Sequence, residues 1–170
     1  AETNGEESAP VTLATARRGL KETCGSAVIR APLPRVVEVL SNAATKVEWL
    51  SGLLEEREVA RGEESSMAGV PGQSTVYQSY KLGWPLSERD YVIACTWDIT
   101  LDPSTGEPTR AVFTQQSAEH ETLPVSERRV RAALNLCVYT LEALPGEEGT
   151  RVDVKINVDP LGNFPIFLVN

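Results

Sequence analysis

The sequence predicts an α+β domain built mainly from antiparallel sheet, on the strength of its apolar patterning. Most of the 170 residues fall in segments that alternate apolar and polar side chains. Only one stretch switches to a helical period, and clusters of Gly, Pro and Asp punctuate the rest. Alternation is clearest in RVDVKINVD, where Val152, Val154, Ile156 and Val158 share a face, and over residues 90–100, where Tyr91, Ile93, Cys95, Trp97 and Ile99 do. Over residues 128–141 the same reading puts Val130, Ala132, Leu134, Leu136 and Val138 on one side. These are half-buried antiparallel strands, with one face apolar and the other wet.

Residues 1–10 (AETNGEESAP) are polar and acidic and are expected to form a disordered leader, with one domain spanning residues 11–170. VTLATARR and residues 20–30 read as strands about a turn at Gly19. In LPRVVEVLSN, Leu33, Val36, Val37 and Leu40 fall at i, i+3, i+4 and i+7, and Pro34 suits an early helical position, so a short helix is expected. ATKVEWLSG continues it by a turn or two, with Trp49 facing inward. Further strands are expected at 55–61, 74–82, 90–100, 110–117, 128–141 and 150–159, the first of them charged and edge-like. One short helix is too little cover for the apolar face of such a sheet. A further helix, an apolar ligand or both must fill the concave side.

Composition excludes several classes of function. The 16 Lys and Arg against 24 Asp and Glu give a net charge of −8, which opposes nucleic acid or an anionic bilayer as default partners. No apolar run approaches the ~20 residues that span a membrane. A cytoplasmic protein is expected, although the chain begins at Ala and a removed signal peptide would leave no trace. Cys24, Cys95 and Cys137 lack CxxC spacing and are expected to be free, buried thiols rather than metal ligands. The single histidine, His120, lies in the polar stretch SAEHETLP and reads as solvated or locally bonded. No nucleotide-binding glycine motif occurs, and acidic pairs such as Glu55-Glu56 read as solvation. Neither catalytic residues nor a cofactor or metal are expected.

The segment STVYQSYKLGWPLSERDYVIACTW, residues 74–97, resembles the signature of START domains, the StAR-related lipid-transfer family. VEWLSGLLEEREVA resembles that family's Trp-containing helix and the strand after it. VDPLGNFPIFLVN resembles its D-x-x-G-x-[IL]-P-x-x-[LI]-[VI]-N segment, and RRVRAALNLCVYTLEALP suits its long penultimate strand. The resemblance covers about residues 11–170. It implies a helix-grip fold, in which a curved antiparallel sheet surrounds a hydrophobic tunnel for one lipid and a C-terminal helix forms the lid. In that family the lid follows the P-x-x-[LI]-[VI]-N segment, and the given sequence stops at Asn170, so the lid helix is apparently missing from it. With the lid present a monomer is expected; the other partners implied are a lipid ligand and a transiently contacted membrane.

The central block also has a physical reading. Trp84-Pro85 fixes a rigid bend, and Arg89 and Asp90, adjacent on a strand, point to opposite faces and need separate partners. A role in loop geometry is favoured for both over ligand contact. The candidate ligand-binding residues are Gln78, Tyr91, Ile93, Cys95, Trp97, Val130, Ala132, Leu134, Leu136, Val154, Ile156, Phe164 and Phe167. START domains with an internal charged pair place an Arg six positions beyond the motif Arg, and here that position is Cys95. A buried guanidinium needs an anionic partner, so a Cys removes the reason for a phosphate headgroup. Gln78 is a neutral partner for a hydroxyl or, equally, a structural side chain bonded to backbone. The expectation is binding and transfer of a single lipid, a sterol first; a phospholipid carrier or a cyclase-like or ligand-sensing domain for polycyclic compounds is the alternative.

Overall fold

The computed structural model describes residues 20–145 and 149–162. The expected leader, the strand expected at residues 11–18, and Phe164 and Phe167 lie outside the described residues. The elements run β1 (Thr23–Ile29), α1 (Leu33–Ser41), α2 (Ala43–Trp49), β2 (Leu53–Arg61), β3 (Gln73–Tyr80), β4 (Arg89–Leu101), β5 (Pro108–Ser117), β6 (Val130–Arg131), β7 (Ala133–Ala143) and β8 (Thr150–Asp159). They build one sheet in the order β1-β8-β7-β5-β4-β3-β2, all antiparallel, with β6 added to β4 in parallel. None of the described helices is long and apolar enough to cross a membrane.

The expected single helix is two. Pro34 lies in the first turn of α1, where a missing N–H costs nothing, and Leu33, Val36 and Val37 are buried as the periodicity requires. At Asn42 the backbone is extended, and the Asn42 side chain accepts a hydrogen bond from the Ala44 N–H at 3.0 Å, which restarts the helix as α2. α1 lies against β5 and β7, and α2 lies against the edge strand β2. Gly52 then turns the chain into β2 at φ 80°. A Cβ there would stand 3.0 Å from the Lys81 carbonyl oxygen, so the left-handed conformation and the close approach both call for glycine.

Registry across the sheet arranges the inner face in rows. Trp97 on β4 pairs with Phe113 on β5, Phe113 with Tyr139 on β7, Tyr139 with Val154 on β8, and Val154 with Gly25 on β1. The Trp97 and Phe113 rings stack at 4.2 Å between centroids, and Tyr139 continues the stack at 6.1 Å. The neighbouring row is Cys95, Gln115, Cys137 and Ile156. The face Tyr91, Ile93, Cys95, Trp97 and Ile99 points inward as expected, and so do Val152, Val154, Ile156 and Val158, which all pack on the core.

Residues 128–141 depart from the expected strand. The segment splits into β6 and β7, with Ala132 between them. Within β7, Leu134 opposes Val158 while Leu136 opposes Asn157, so Asn135 is an extra residue and the strand is bulged. Beyond the bulge the parity is reversed. Cys137, Tyr139 and Leu141 turn inward, while Leu136 and Val138 take the face of Asn157 and Lys155.

Arg89 and Asp90 do find separate partners. Arg89 donates from Nε to the Pro160 carbonyl at 2.8 Å and from a terminal nitrogen to the Leu161 carbonyl at 3.2 Å, tying the start of β4 to the chain leaving β8. Asp90 accepts from Arg131 at 2.9 and 3.1 Å, which docks β6 on the other side. Both side chains bond within the protein, Arg89 to backbone carbonyls and Asp90 to Arg131.

Candidate functional site

Between α1, α2 and the inner face of the sheet lies a cavity of about 290 Å³. Its floor comes from alternate residues of the strands, among them Gln78, Tyr91, Ile93, Leu134, Ile156 and Val158, and its roof from Leu40 of α1 with Lys46 and Trp49 of α2. A second apolar hollow, of about 430 Å³, lies beside it under α1 and shares Leu40, Trp49 and Tyr139 with the first.

Five of the expected binding residues therefore meet at one place: Gln78, Tyr91, Ile93, Leu134 and Ile156. Others belong elsewhere. Cys95 and Trp97 are buried on the correct face but sit in the core beside the cavity. Val154 packs on that core too, and does not line the cavity. Leu136 is turned away by the Asn135 bulge. Val130, on the parallel strand β6, stands against Gly162, and Ala132 is buried between β6 and β7, so neither reaches the cavity. Trp49 does line the cavity, though at 45 % exposure it sits at the mouth rather than inside.

Behind the wall stands a charged group that the sequence reading assigned to solvent. Glu56 on β2 is buried and forms an ion pair with Lys46 of α2 at 2.5 Å, with side-chain exposures of 1 % and 6 %. The cause is again a bulge: the register of β2 against β3 shifts between Leu53 and Glu55, so Leu53 and Glu56, three apart, both face inward. Glu56 then opposes Gln78, whose amide donates to the second Glu56 oxygen at 2.6 Å. Tyr80 donates its hydroxyl to the Gln78 carbonyl oxygen at 3.0 Å. Lys46, Glu56, Gln78 and Tyr80 thus form one connected polar chain along the wall. Gln78 bonds side chains here, neither of the partners weighed for it from the sequence.

Elsewhere the wall is held neutral by burial. Desolvation pushes the Tyr91 hydroxyl up to about 12, against the pull of nearby Arg89, and also pushes Tyr139 up to about 12. Tyr80 is raised further by burial and by the neighbouring Glu56 carboxylate. Burial lifts the Cys137 thiol to about 11 and Cys95 likewise, the latter opposed by a hydrogen bond from Gln115. Both of these thiols are free, as expected; Cys24 is free but exposed, because β1 is an edge strand with no described element covering it.

A sheet wrapped against helices around an apolar hollow defines the helix-grip class of fold. Within that class the fold is that of START domains. The human STARD10 structure superposes with a TM-score of 0.76 at 21 % identity over 90 % of this chain and 57 % of that one. The lipid transfer and protein localization domain of human StarD13 (DLC2) gives 0.72 at 20 % identity, over 89 % of this chain and 68 % of that one. A STAR-related lipid transfer protein from Xanthomonas axonopodis gives 0.68 at 22 % identity, over 91 % and 79 %. The chain spans little more than half the length of the STARD10 chain. No protein-family model matches the sequence, and no curated protein matches it.

Proposed function

We propose that this chain binds a single lipid in the cavity under α1 and α2 and carries it between membranes, with a sterol as the favoured ligand. The observation that carries the reading is the apolar hollow itself, enclosed by the sheet floor and the helical roof with a short polar chain along one wall. The cavity, about 290 Å³, and its neighbour, about 430 Å³, lie at the small end of the ~300–1,000 Å³ of small-molecule sites. Affinity would come from apolar burial at about 25 cal/mol per Å², and orientation from the polar wall. Lipid transfer is also what the names of the StarD13 domain and the Xanthomonas protein state of those proteins.

The role is binding rather than catalysis. His120 is half-buried on a loop, its Nδ1 2.9 Å from the Thr122 hydroxyl, and the half-buried tyrosines and buried thiols are held protonated at neutral pH. A sterol is favoured over a phospholipid because the wall's cation, Lys46, already has an anionic partner, and Cys95 is neutral where a charged START tunnel places Arg.

The test is displacement of a fluorescent sterol from the purified chain. Displacement by cholesterol but not by phosphatidylcholine is the expected result. Saturable phosphatidylcholine binding of equal or higher affinity, with Cys95→Arg leaving selectivity unchanged, would replace the sterol reading with a phospholipid carrier. A ligand whose mass changes during incubation would replace it with an enzyme.

A further inference from the structure

We propose that the Lys46–Glu56 pair is a charge filter: it accepts lipids with a neutral oxygen at the polar end and turns away those that end in a carboxylate. The inference rests on the lipid-binding reading and names the chemical class of ligand within it.

The argument is one of hydrogen-bond capacity. Lys46 lines the cavity, and Glu56 stands behind it. One Glu56 oxygen is taken by Lys46 and the other by the Gln78 amide, so the carboxylate is committed on both sides. That commitment also fixes Gln78. A carboxylate only accepts, so the Gln78 NH₂ must face Glu56 and its carbonyl oxygen must face Tyr80. Tyr80 spends its one hydrogen on that carbonyl.

Lys46 is different. An ammonium carries three N–H donors, and its described neighbours at the charged end are Glu56 and the face of Phe113, 5.7 Å away at the ring centroid. Donor capacity is therefore left on the cavity side. A hydroxyl or carbonyl oxygen can accept from it and leave every existing bond in place.

A carboxylate meets a different balance. Lys46 is already neutralised by Glu56, so a second anion brings a net negative charge into a water-poor corner, where like charges repel strongly. Displacing Glu56 would not help, because that strands a buried carboxylate without its cation. Rejection thus comes from a repulsive element built into the wall, with Lys46 as the attractive one.

The experiment compares two ligands that share a chain and differ at the polar end, oleyl alcohol and oleate, as competitors of a bound fluorescent sterol at pH 8. The unaltered chain is expected to bind the alcohol at least tenfold more tightly. Glu56→Gln, which removes the anion and keeps the shape, is expected to raise the affinity for oleate relative to oleyl alcohol tenfold or more. Adding Lys46→Met to Glu56→Gln is expected to abolish the gain. Equal affinity of the unaltered chain for both competitors overturns the filter even if Glu56→Gln does not fold, and so does an oleate gain that survives loss of Lys46. A preference that is the same in all three folded proteins overturns the filter and leaves lipid binding standing. Failure of every probe to bind removes the lipid reading, and the filter with it.

Discussion

Arg131 holds both carboxylate oxygens of Asp90, from Nε at 2.9 Å and from a terminal nitrogen at 3.1 Å, across the short parallel pairing of β6 with β4. Asp90 is buried, and Tyr77, which itself accepts from Arg129 at 2.9 Å, donates to it at 3.4 Å. Removing the charge of one partner leaves the other in a dry site. Asp90→Asn should therefore cost roughly 3 kcal/mol, read as a lower urea midpoint at unchanged slope. A loss below about 1 kcal/mol would mean that water reaches Arg131 and solvates it.

Arg89 acts on a different part of the chain, since its guanidinium ties Pro160 and Leu161 to the start of β4. Arg89→Met keeps most of the apolar stem and removes the donors. Protease cleavage or amide exchange should rise around residues 159–162, while α1 and β3 keep their protection. Uniform loosening of the whole domain would contradict this local role.

The thiols give an alkaline signature. Cys95 and Cys137 are each raised by burial from the ordinary 9.0 to about 11. Below about pH 9 they are neutral whether folded or unfolded and contribute no pH dependence. Between about 9 and 11 the unfolded chain releases protons that the folded chain keeps, so stability falls as pH rises, by on the order of 1 kcal/mol per pH unit for each group. Unfolding midpoints measured from pH 8 to 11 should show this decline, steepened above about pH 10 by the raised tyrosines, and Cys95→Ala should make it shallower by one group's share. In native protein at pH 8, a thiol reagent should label exposed Cys24 fast and the other two only on unfolding.

Trp84 is 96 % exposed, in the loop between β3 and β4 that also carries Leu82 to the cavity. Trp84→Ala should change stability by less than about 0.5 kcal/mol. It should slow lipid transfer between neutral vesicles several-fold, because an indole ring favours the membrane–water interface. Transfer that occurs only with anionic vesicles and collapses in salt would instead indicate charge attraction, against the sense of the −8 net charge.

Strand identity was legible because alternation survives in long runs: β4 and β8 present inward the residues their period selects, and Tyr91, Ile93 and Ile156 reach the cavity for that reason. Parity fails wherever one residue is inserted. Nothing in LNLC marks Asn135 as a bulge, and nothing in LLEE tells Glu55, exposed, from Glu56, buried. The roof was less legible than the floor. In α2 the side chain turned under the helix is Lys46, while Val47 and Trp49 stay about half exposed, the reverse of what amphipathic patterning selects. A lysine that exchanges water for a carboxylate ten residues later in sequence leaves no periodic trace.

The two edges of the sheet differ in how far along the chain their contacts reach. On one side, Lys46, Glu56 and Gln78 are joined by short-range closure through α2 and the β2–β3 pairing. On the other, β1 is held by β8 alone among the described strands, pairing Thr23 with Ile156 across most of the chain, and all its residues are exposed. Loop-closure entropy therefore predicts an order of assembly, the polar wall first and the β1 seam last, which pulsed amide exchange during refolding checks. Held by one strand among the described ones, that seam is expected to exchange its amides faster than the central strands in native protein.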